Sequence, residues 1–149
     1  MDKESDKESD VILVEYLPFV TPERGSEVSK FVEKYYLFNL SGGRQKIKIF
    51  LSDILLIRAL KGGHQDKILY MKGNTTYKIR EYKFNYLIKI SGFLIRVNKS
   101  DLVSPEAVDV IDEDCITLNS VIEDGKPIYL SLSRTYKKHF MMFFHYSKV

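Results

Sequence analysis

From residue 31 onwards, apolar residues recur in short blocks whose spacing is typical of β-strands. Residues 31–40 are rich in aromatic side chains, and residues 45–50 alternate between apolar and polar positions. The segment Ser41-Gly42-Gly43 separates the two blocks and supplies residues that favour turns. This arrangement predicts a β-hairpin at the start of the patterned region.

Further strands are predicted along the middle of the chain. Residues 51–54 fit one helical turn, and residues 55–60 form the continuous apolar run that is typical of a buried strand. A second hairpin is predicted where residues 68–71 and 75–79 flank the turn dipeptide Gly73-Asn74.

The C-terminal half predicts one helix and several short strands. Residues 82–90 have apolar positions near helical spacing and end at Gly92, a favourable residue for a helix C-cap. Short strands are predicted at residues 93–97, 108–111, 115–118 and 128–132. Residues 136–144 fit either a helix or a strand. The fold class is therefore mainly β with one or two short helices, which is a poor match to a helix-turn-helix protein.

The N-terminal segment has a different character. Residues 1–10 contain the tandem repeat Asp-Lys-Glu-Ser, with no apolar residue after Met1, and this composition predicts disorder. Residues 11–16 fit a strand or a short anchoring segment, and Pro18 and Pro22 interrupt the pattern after them. We therefore predict a flexible acidic extension over residues 1–30 and one domain over residues 31–146.

Bulk composition narrows the class of protein. A chain of 149 residues with 44% hydrophobic residues can form one domain with a true core. The longest charge-free apolar run, residues 140–144, is far too short for a membrane span, and the N-terminus lacks the pattern of a secretory signal. The single cysteine, Cys115, cannot form an internal disulfide and is predicted to pack as a small apolar side chain. These features predict a cytoplasmic protein without membrane contact.

Charge is distributed unevenly along the chain. Residues 1–36 carry 5 Lys/Arg against 9 Asp/Glu, whereas residues 37–149 carry 18 against 11, a net charge of +7. Within residues 44–100 the ratio is 13 basic to 3 acidic residues, and acidic residues return between 106 and 124. A body with one basic face and one acidic region suits a phosphate-binding protein, although a solvated surface with uneven charge is an equally valid reading.

Two polar and basic segments stand out against the apolar pattern. In residues 92–104 an alternating apolar run passes into Arg96-Val97-Asn98-Lys99-Ser100 and then returns to Leu102-Val103. The second segment is Ser131-Leu132-Ser133-Arg134-Thr135-Tyr136-Lys137-Lys138. Their order and spacing resemble the signature of the LytTR family of DNA-binding domains. The resemblance covers residues 31 to 146.

Several positions depart from the residue types usual in the family pattern. The segment of residues 51–58 is similar to the family's leucine–X–Asp–Ile motif, but Arg58 replaces the usual acid. Lys99 stands where Arg or Asn is common, Asp101 stands where an aromatic residue is usual, and Ser104 stands where Asn is usual. The resemblance implies an elongated, multi-stranded β–β–β sandwich that binds duplex DNA through loops entering successive major grooves.

The candidate DNA-binding residues lie in three segments. His64 follows two glycines, so its loop can project, although an ordinary surface histidine is an almost equal reading. Strand alternation puts Ile95 and Val97 on one face of a strand and Arg96 and Asn98 on the other. Asn98 can read adenine, Lys99 can donate to guanine or phosphate, and Ser100 continues the polar exit of the strand. The other reading of this segment is a polar strand exit without function.

The third segment adds donors near the C-terminus. Ser133, Arg134, Thr135 and Tyr136 can all contact phosphates or bases, while Lys137 and Lys138 add nonspecific attraction. Taken alone, such a run is an unremarkable turn. Its position after the Asn98-Lys99 segment favours a DNA-binding role.

Catalysis has little support in the sequence. The chain has three histidines and lacks a metalloprotease motif, a P-loop, a nucleophile elbow and a dinucleotide fingerprint. Residues 112–114 are acidic and fit a polar hairpin tip better than a cation site. We therefore expect no enzyme activity, no cofactor and no metal.

Three functions remain open. The first is sequence-specific binding of duplex DNA by a transcriptional regulator, with two copies pairing on repeated half-sites. The second is a protein-interaction module that uses the aromatic segment of residues 140–146, which equally fits a closing element of the core. The third is a binder of single-stranded nucleic acid that stacks bases on Tyr and Phe. The first 30 residues cannot hold a phosphoacceptor receiver domain, so we expect regulation by a partner or by abundance.

Overall fold

The computed structural model of the protein describes residues 11–16, 31–61 and 66–147. The acidic repeat of residues 1–10, the proline-containing segment of residues 17–30 and the loop of residues 62–65, which includes His64, lie outside this description.

The first sheet is antiparallel and has the strand order β1-β2-β3. Its strands are β1 (Val11–Tyr16), β2 (Phe31–Asn39) and β3 (Lys46–Phe50). The predicted hairpin of β2 and β3 is confirmed, with Tyr36 paired to Ile49 and Phe38 to Ile47. β1 lies inside the stretch assigned to an N-terminal extension, and its six residues all pair with β2. The sheet thus crosses the boundary placed at residue 31.

The central sheet has five strands in the order β6-β5-β4-β8-β7. They are β4 (Ile54–Ala59), β5 (Lys67–Met71), β6 (Thr75–Ile79), β7 (Ile95–Asn98) and β8 (Asp101–Val103). The predicted hairpin of β5 and β6 is confirmed. Its turn includes Gly73 and Asn74, both at positive φ (85° and 62°), a conformation that Gly and Asn tolerate better than other residues.

The third sheet has the order β11-β10-β9. Its strands are β9 (Val108–Asp112), β10 (Cys115–Glu123) and β11 (Lys126–Ser131). Asp124 and Gly125 both have positive φ between the paired residues Glu123 and Lys126, as a two-residue hairpin turn requires. The acidic hairpin tip predicted at residues 112–114 is also observed, between β9 and β10.

Two α-helices and two 3-10 turns complete the described fold. α1 (Phe84–Ser91) ends at Gly92, whose φ of +80° is the left-handed conformation of a helix C-cap, as predicted. The undecided C-terminal segment is a helix, α2 (Arg134–Ser147). The 3-10 turns are Leu51–Asp53, at the predicted helical turn, and Pro105–Ala107.

The central sheet is covered on both faces. Ile57, Leu69 and Leu102 face a cluster that contains Tyr36 of the first sheet and residues of α1. Their sequence neighbours Leu56, Tyr70 and Val103 face the opposite cluster, which is built with the third sheet and Phe140 of α2. Successive strand residues point to opposite faces, so the near-continuous apolar runs of β4 and β5 supply both cores. The predicted three-layer β sandwich is thereby confirmed.

Candidate nucleic-acid interface

Three chain segments meet at one end of the central sheet, where β4 ends and β7 turns into β8. The N–H of Ala59, at the end of β4, donates to the Ser100 carbonyl across 2.8 Å, so β4 leads directly past the β7–β8 turn. The N–H of Ser133, just before α2, donates to the Val97 carbonyl, also across 2.8 Å. We call this region the basic edge; it comprises residues 59–61, the turn of residues 98–100 and residues 133–137. Its exposed cations are Lys61, Lys99 and Arg134.

Asn98 holds the backbone of the β7–β8 turn. Its amide nitrogen donates to Asp101 Oδ2 at 2.9 Å and to the Ser131 carbonyl at 2.8 Å. Its amide oxygen accepts the N–H of Ser100 at 2.7 Å. The residue is only 9% exposed, so the side chain is directed into the protein instead of sharing an outward face with Arg96. A register shift between Arg96 and Asn98 in the β7–β8 ladder breaks the expected alternation.

Arg96 supports the same turn from the other side. Its guanidinium donates to the carbonyls of Asn98 and Lys99 at 3.2 and 3.1 Å. It lies between two aromatic rings, 4.9 Å from the centroid of Phe84 in α1 and 5.0 Å from that of Tyr136 in α2. Such cation–π contacts stabilise a desolvated guanidinium. Arg96 was not among the predicted site residues, although its place in the basic segment was a usable signal.

The beginning of α2 is fixed by Ser133. The Ser133 hydroxyl accepts the N–H of Thr135 at 3.3 Å, which is the role of a helix N-cap, and its carbonyl accepts the N–H of Tyr136 at 3.0 Å. Arg134 and Thr135, in the first turn, are exposed. Tyr136 is half-buried beneath Arg96, and Lys137 forms an ion pair of 3.0 Å with Asp114.

The predicted residues therefore separate into two groups. Lys99, Ser100 and Arg134 are exposed at the basic edge. Asn98, Ser133 and Tyr136 hold that edge in place through internal contacts, and Lys137 shares its charge with an acidic neighbour. His64 falls in the loop that begins beside Ser100 but lies outside the described residues.

A second charge network lies beneath the edge, between the central and third sheets. Arg58 Nε donates to Asp101 Oδ1 at 2.9 Å, and Arg58 Nη1 is 4.0 Å from Glu123 Oε1. Burial lowers the pKa of Arg58, but the attraction of Asp101, with smaller effects of Tyr70 and Glu123, outweighs it and raises that pKa overall. Arg58 therefore stays charged at any physiological pH.

Tyr70 gives this network a measurable pH dependence. Its hydroxyl donates to Glu123 Oε2 at 3.3 Å. Burial, together with the negative charge of Glu123, raises the pKa of Tyr70 above its usual value, despite the opposing effect of Arg58. Stability that depends on a raised tyrosine pKa is present below about pH 10 and is lost as the pH rises through the folded-state pKa.

We therefore expect the unfolding free energy of Tyr70→Phe to fall less steeply above about pH 10 than that of the parent protein. Urea unfolding followed by circular dichroism between about pH 8 and 11 measures this difference. Tyr129→Phe is the matched control, because it makes the same exchange of side chains at a position that is 60% exposed on β11. If the unfolding free energies of the parent and of Tyr70→Phe changed in parallel with pH, the raised pKa of Tyr70 would be contradicted.

The surface of the third sheet has the opposite charge. Residues 101–125 contain eight Asp or Glu and no Lys or Arg. Val110 and Tyr129 are exposed and flank Thr117 in register, and Cys115 is also exposed, contrary to the prediction that it packs as a small apolar residue. The reason is strand alternation, because Ile116 faces the core and its neighbour Cys115 cannot. Within the described residues, no group of three or more His, Cys, Asp or Glu can hold a metal ion.

The C-terminal helix divides its aromatic residues between core and solvent. Phe140 is fully buried, and its ring centroid is 4.7 Å from that of the half-buried Phe144. Met141, Met142 and Phe143 are 37%, 52% and 43% exposed. The segment therefore closes the core through Phe140 and leaves three large apolar side chains exposed around the rest of the helix. Neither helix in the described part of the chain has the length and apolar character that a membrane span requires.

Comparison with known proteins identifies the fold. No family model matches the sequence, and no curated protein sequence matches it. A solved LytTr DNA-binding domain from Bacillus cereus superposes on 74% of this chain and 95% of its own length, with a TM-score of 0.53 and 14% sequence identity. The chain has a LytTR-type fold, as the resemblance in sequence predicted; at this identity the likeness describes architecture.

Proposed function

We propose that the protein binds duplex DNA in a sequence-specific manner and acts as a transcriptional regulator. The observation that carries the proposal is the basic edge of a LytTR-type fold. There Lys99, Ser100 and Arg134 are exposed while the residues beneath them are hydrogen-bonded in place. Rigid backbone beneath exposed donors lowers the entropic cost of forming contacts with bases.

Each exposed residue has a defined chemical role in this proposal. Arg134, in the first turn of α2, presents a guanidinium that matches the O6 and N7 acceptors of guanine. Lys99 donates to the same acceptors or to a phosphate, and Ser100 donates or accepts beside it. His64, which lies outside the described residues, stays a sequence-based candidate for a further contact to a base or phosphate. Asn98, Ser133 and Tyr136 act as positioning residues, and the loops enter the major groove.

The charge distribution supports an orientation in which the basic edge faces DNA and the third sheet faces away from it. The segments around the basic edge carry the exposed cations Lys61, Lys99, Arg134 and Lys138. Residues 101–125, which contain acidic but no basic residues, form much of the third sheet. Counterion release rewards contacts between cations and phosphates, and acidic surface is repelled from DNA. Lys137 contributes less than its neighbours to binding, because Asp114 partly neutralises it.

An interaction surface on α2 is the second candidate function. Met141, Met142 and Phe143 are exposed on the helix whose first turn carries Arg134. Exposed apolar side chains that cluster on a surface commonly mark protein contacts. On DNA with repeated half-sites, this end of α2 is a candidate contact between two copies, or between the regulator and an activating partner. Cytoplasmic localisation accompanies this proposal as a prediction.

The domain boundary yields a separate prediction. We propose that the DNA-binding unit spans residues 31–146, with β1 of the N-terminal extension added to its first sheet, and that residues 1–10 add nothing to its stability. Deletion of residues 1–10 should change the thermal midpoint by no more than about 2 °C, the shift that a surface change of ~0.5 kcal/mol produces. Differential scanning calorimetry measures this shift. Deletion of residues 1–16 is the informative companion, because it also removes β1 from the edge of the first sheet. A large loss of stability in the shorter deletion would refute the boundary.

Selection from a random pool of duplexes tests the proposed function. The expected product is a recurrent motif, arranged as a direct repeat if two copies pair. Binding to it should weaken as salt is raised, with a slope set by the number of phosphate contacts. Equal binding to unrelated duplexes would contradict sequence specificity, and stronger binding to single strands would favour base stacking on aromatic side chains.

A further inference from the structure

Two residues that depart from the LytTR pattern contact each other in the structure. Arg58 on β4 and Asp101 on β8 are directly paired in the central sheet, and Nε of Arg58 lies 2.9 Å from Oδ1 of Asp101. The Asp101 side chain is 4% exposed and that of Arg58 is 32% exposed. An acid at position 58 or an aromatic residue at position 101 would leave the other charge without this partner. The two departures therefore compensate for each other.

We propose that Arg58, Asp101 and Asn98 form a positioning relay that fixes the β7–β8 turn, so that Lys99 and Ser100 meet DNA in one conformation. The relay rests on the proposed DNA-binding function. It assigns to Arg58 and Asp101 a part in binding specificity, although neither is predicted to touch DNA.

The relay is continuous from the centre of the sheet to the turn. Asp101 accepts hydrogen bonds at both oxygens, from Arg58 at Oδ1 and from the Asn98 amide at Oδ2, each at 2.9 Å. The second amide hydrogen of Asn98 is directed to the carbonyl of Ser131, 2.8 Å away, the last residue of β11 before the connection to α2. The Asn98 oxygen then accepts the Ser100 N–H at 2.7 Å. The Asn98 side chain thus holds the N–H of Ser100, while the N–H of Ala59 on β4 holds the carbonyl of the same residue.

This arrangement also orients the asparagine. An amide that donates to Asp101 and Ser131 must present its oxygen to the Ser100 N–H, because its two ends have different chemistry. As a carboxylate, Asp101 accepts from both neighbours at once, and the guanidinium of Arg58 supplies the opposite charge beside it. A neutral asparagine at position 101 has one acceptor oxygen, so either Arg58 or Asn98 loses its partner.

The same contacts couple the two reading segments. Asn98 ties the turn to Ser131, while Arg96 ties the carbonyl of Lys99 to the ring of Tyr136 in α2. A third connection is the hydrogen bond from the Ser133 N–H to the Val97 carbonyl. Loss of the relay leaves the Arg96 and Ser133 connections in place, so the turn should loosen without detaching from α2.

Asp101→Asn and Arg58→Met test the relay in the free protein and on DNA. In the free protein, amide hydrogen exchange by NMR should accelerate at Ser100 by about 10-fold or more, while the core amide of Leu69 exchanges as in the parent. On DNA, the ratio of the Kd for an unrelated duplex to that for the selected duplex should fall by about 10-fold. Binding to unrelated duplex should persist, because Lys99 and Arg134 remain.

Glu106→Gln is the matched control. The substitution removes an ion pair of 3.1 Å between Glu106 and Lys72. Glu106 lies in the 3-10 turn Pro105–Ala107, which follows the end of β8 that is farther from the β7–β8 turn. The substitution should change neither Ser100 exchange nor the Kd ratio. A loss of specificity that follows from general destabilisation would accelerate exchange at Leu69 as well as at Ser100.

The outcomes separate the relay from the function beneath it. If the exchange rate of the Ser100 amide were unchanged in both variants, the relay would be overturned, whatever the result of the DNA-binding measurements. Faster exchange with an unchanged Kd ratio would overturn its part in specificity. If the parent protein selects no duplex, the proposed function fails instead, and the exchange arm still decides whether the three residues order the turn.

Discussion

Arg134→Ala and Lys99→Ala should each weaken binding to the selected duplex by about 10-fold or more while leaving the fold intact. A bidentate contact to a base contributes about 1–3 kcal/mol of discrimination, and 1.4 kcal/mol corresponds to a factor of ten in Kd. Both side chains are exposed, so truncation removes no core packing. Fluorescence anisotropy with the selected duplex and an unrelated duplex measures the change in affinity and in specificity.

Lys72→Ala is the matched control for these variants. Lys72 is an exposed cation directly after β5, and its N–H donates to the Asp53 carbonyl just before β4, at the end of the central sheet opposite Ala59 and the basic edge. The substitution removes one positive charge, as the test variants do, and should leave the Kd ratio unchanged. If Arg134→Ala and Lys99→Ala bound both duplexes like the parent, the basic edge would not be the reading surface.

The second large effect concerns the stability of α2. Phe140→Ala should lower the unfolding free energy by about 3–5 kcal/mol, because it removes a fully buried ring and leaves a cavity between the third sheet and the helix. Since α2 also carries Arg134, a less stable helix should weaken DNA binding near the melting transition. Urea unfolding followed by circular dichroism measures the free energy.

Phe143→Ala provides the comparison within the same helix. Phe143 is 43% exposed, and its truncation should cost less than about 1 kcal/mol. If this variant stays folded but no longer pairs on a two-site duplex in sedimentation experiments, the exposed apolar side chains of α2 serve association. Equal destabilisation by both substitutions would mean that the whole segment belongs to the core and that any dimer contact lies elsewhere.

Local pattern predicted much of the fold because the decisive interactions are local. The β2–β3 and β5–β6 hairpins follow from alternating strands joined by turn residues, and α1 follows from helical spacing that ends at Gly92. β8 was not predicted as a separate strand, because three residues are too few to show a period. Residues 136–144 were undecided because aromatic residues suit strands and helices alike. The burial of Phe140 and Phe144, four residues apart, resolves the choice.

The candidate site could be predicted only in part, because several of its contacts depend on the pairing of distant strands. Composition identifies Lys99 and Arg134 as exposed cations, but strand alternation assigned Asn98 to the outward face with Arg96. The register shift that buries Asn98 depends on its pairing with β8, which is a tertiary feature. The contact between Arg58 and Asp101 likewise has no local signal in the sequence, since 43 residues separate them and only the β4–β8 pairing brings them together.

Amide chemical-shift changes on addition of the selected duplex test the central claim most directly. The proposal that the basic edge reads DNA predicts that the largest changes fall at Lys99 and Ser100 and over residues 133–136. Amides of the third sheet, such as those of Val110 and Tyr129, should change little. Changes confined to the third sheet or to Met141, Met142 and Phe143, with none at Lys99 or Arg134, would contradict the account.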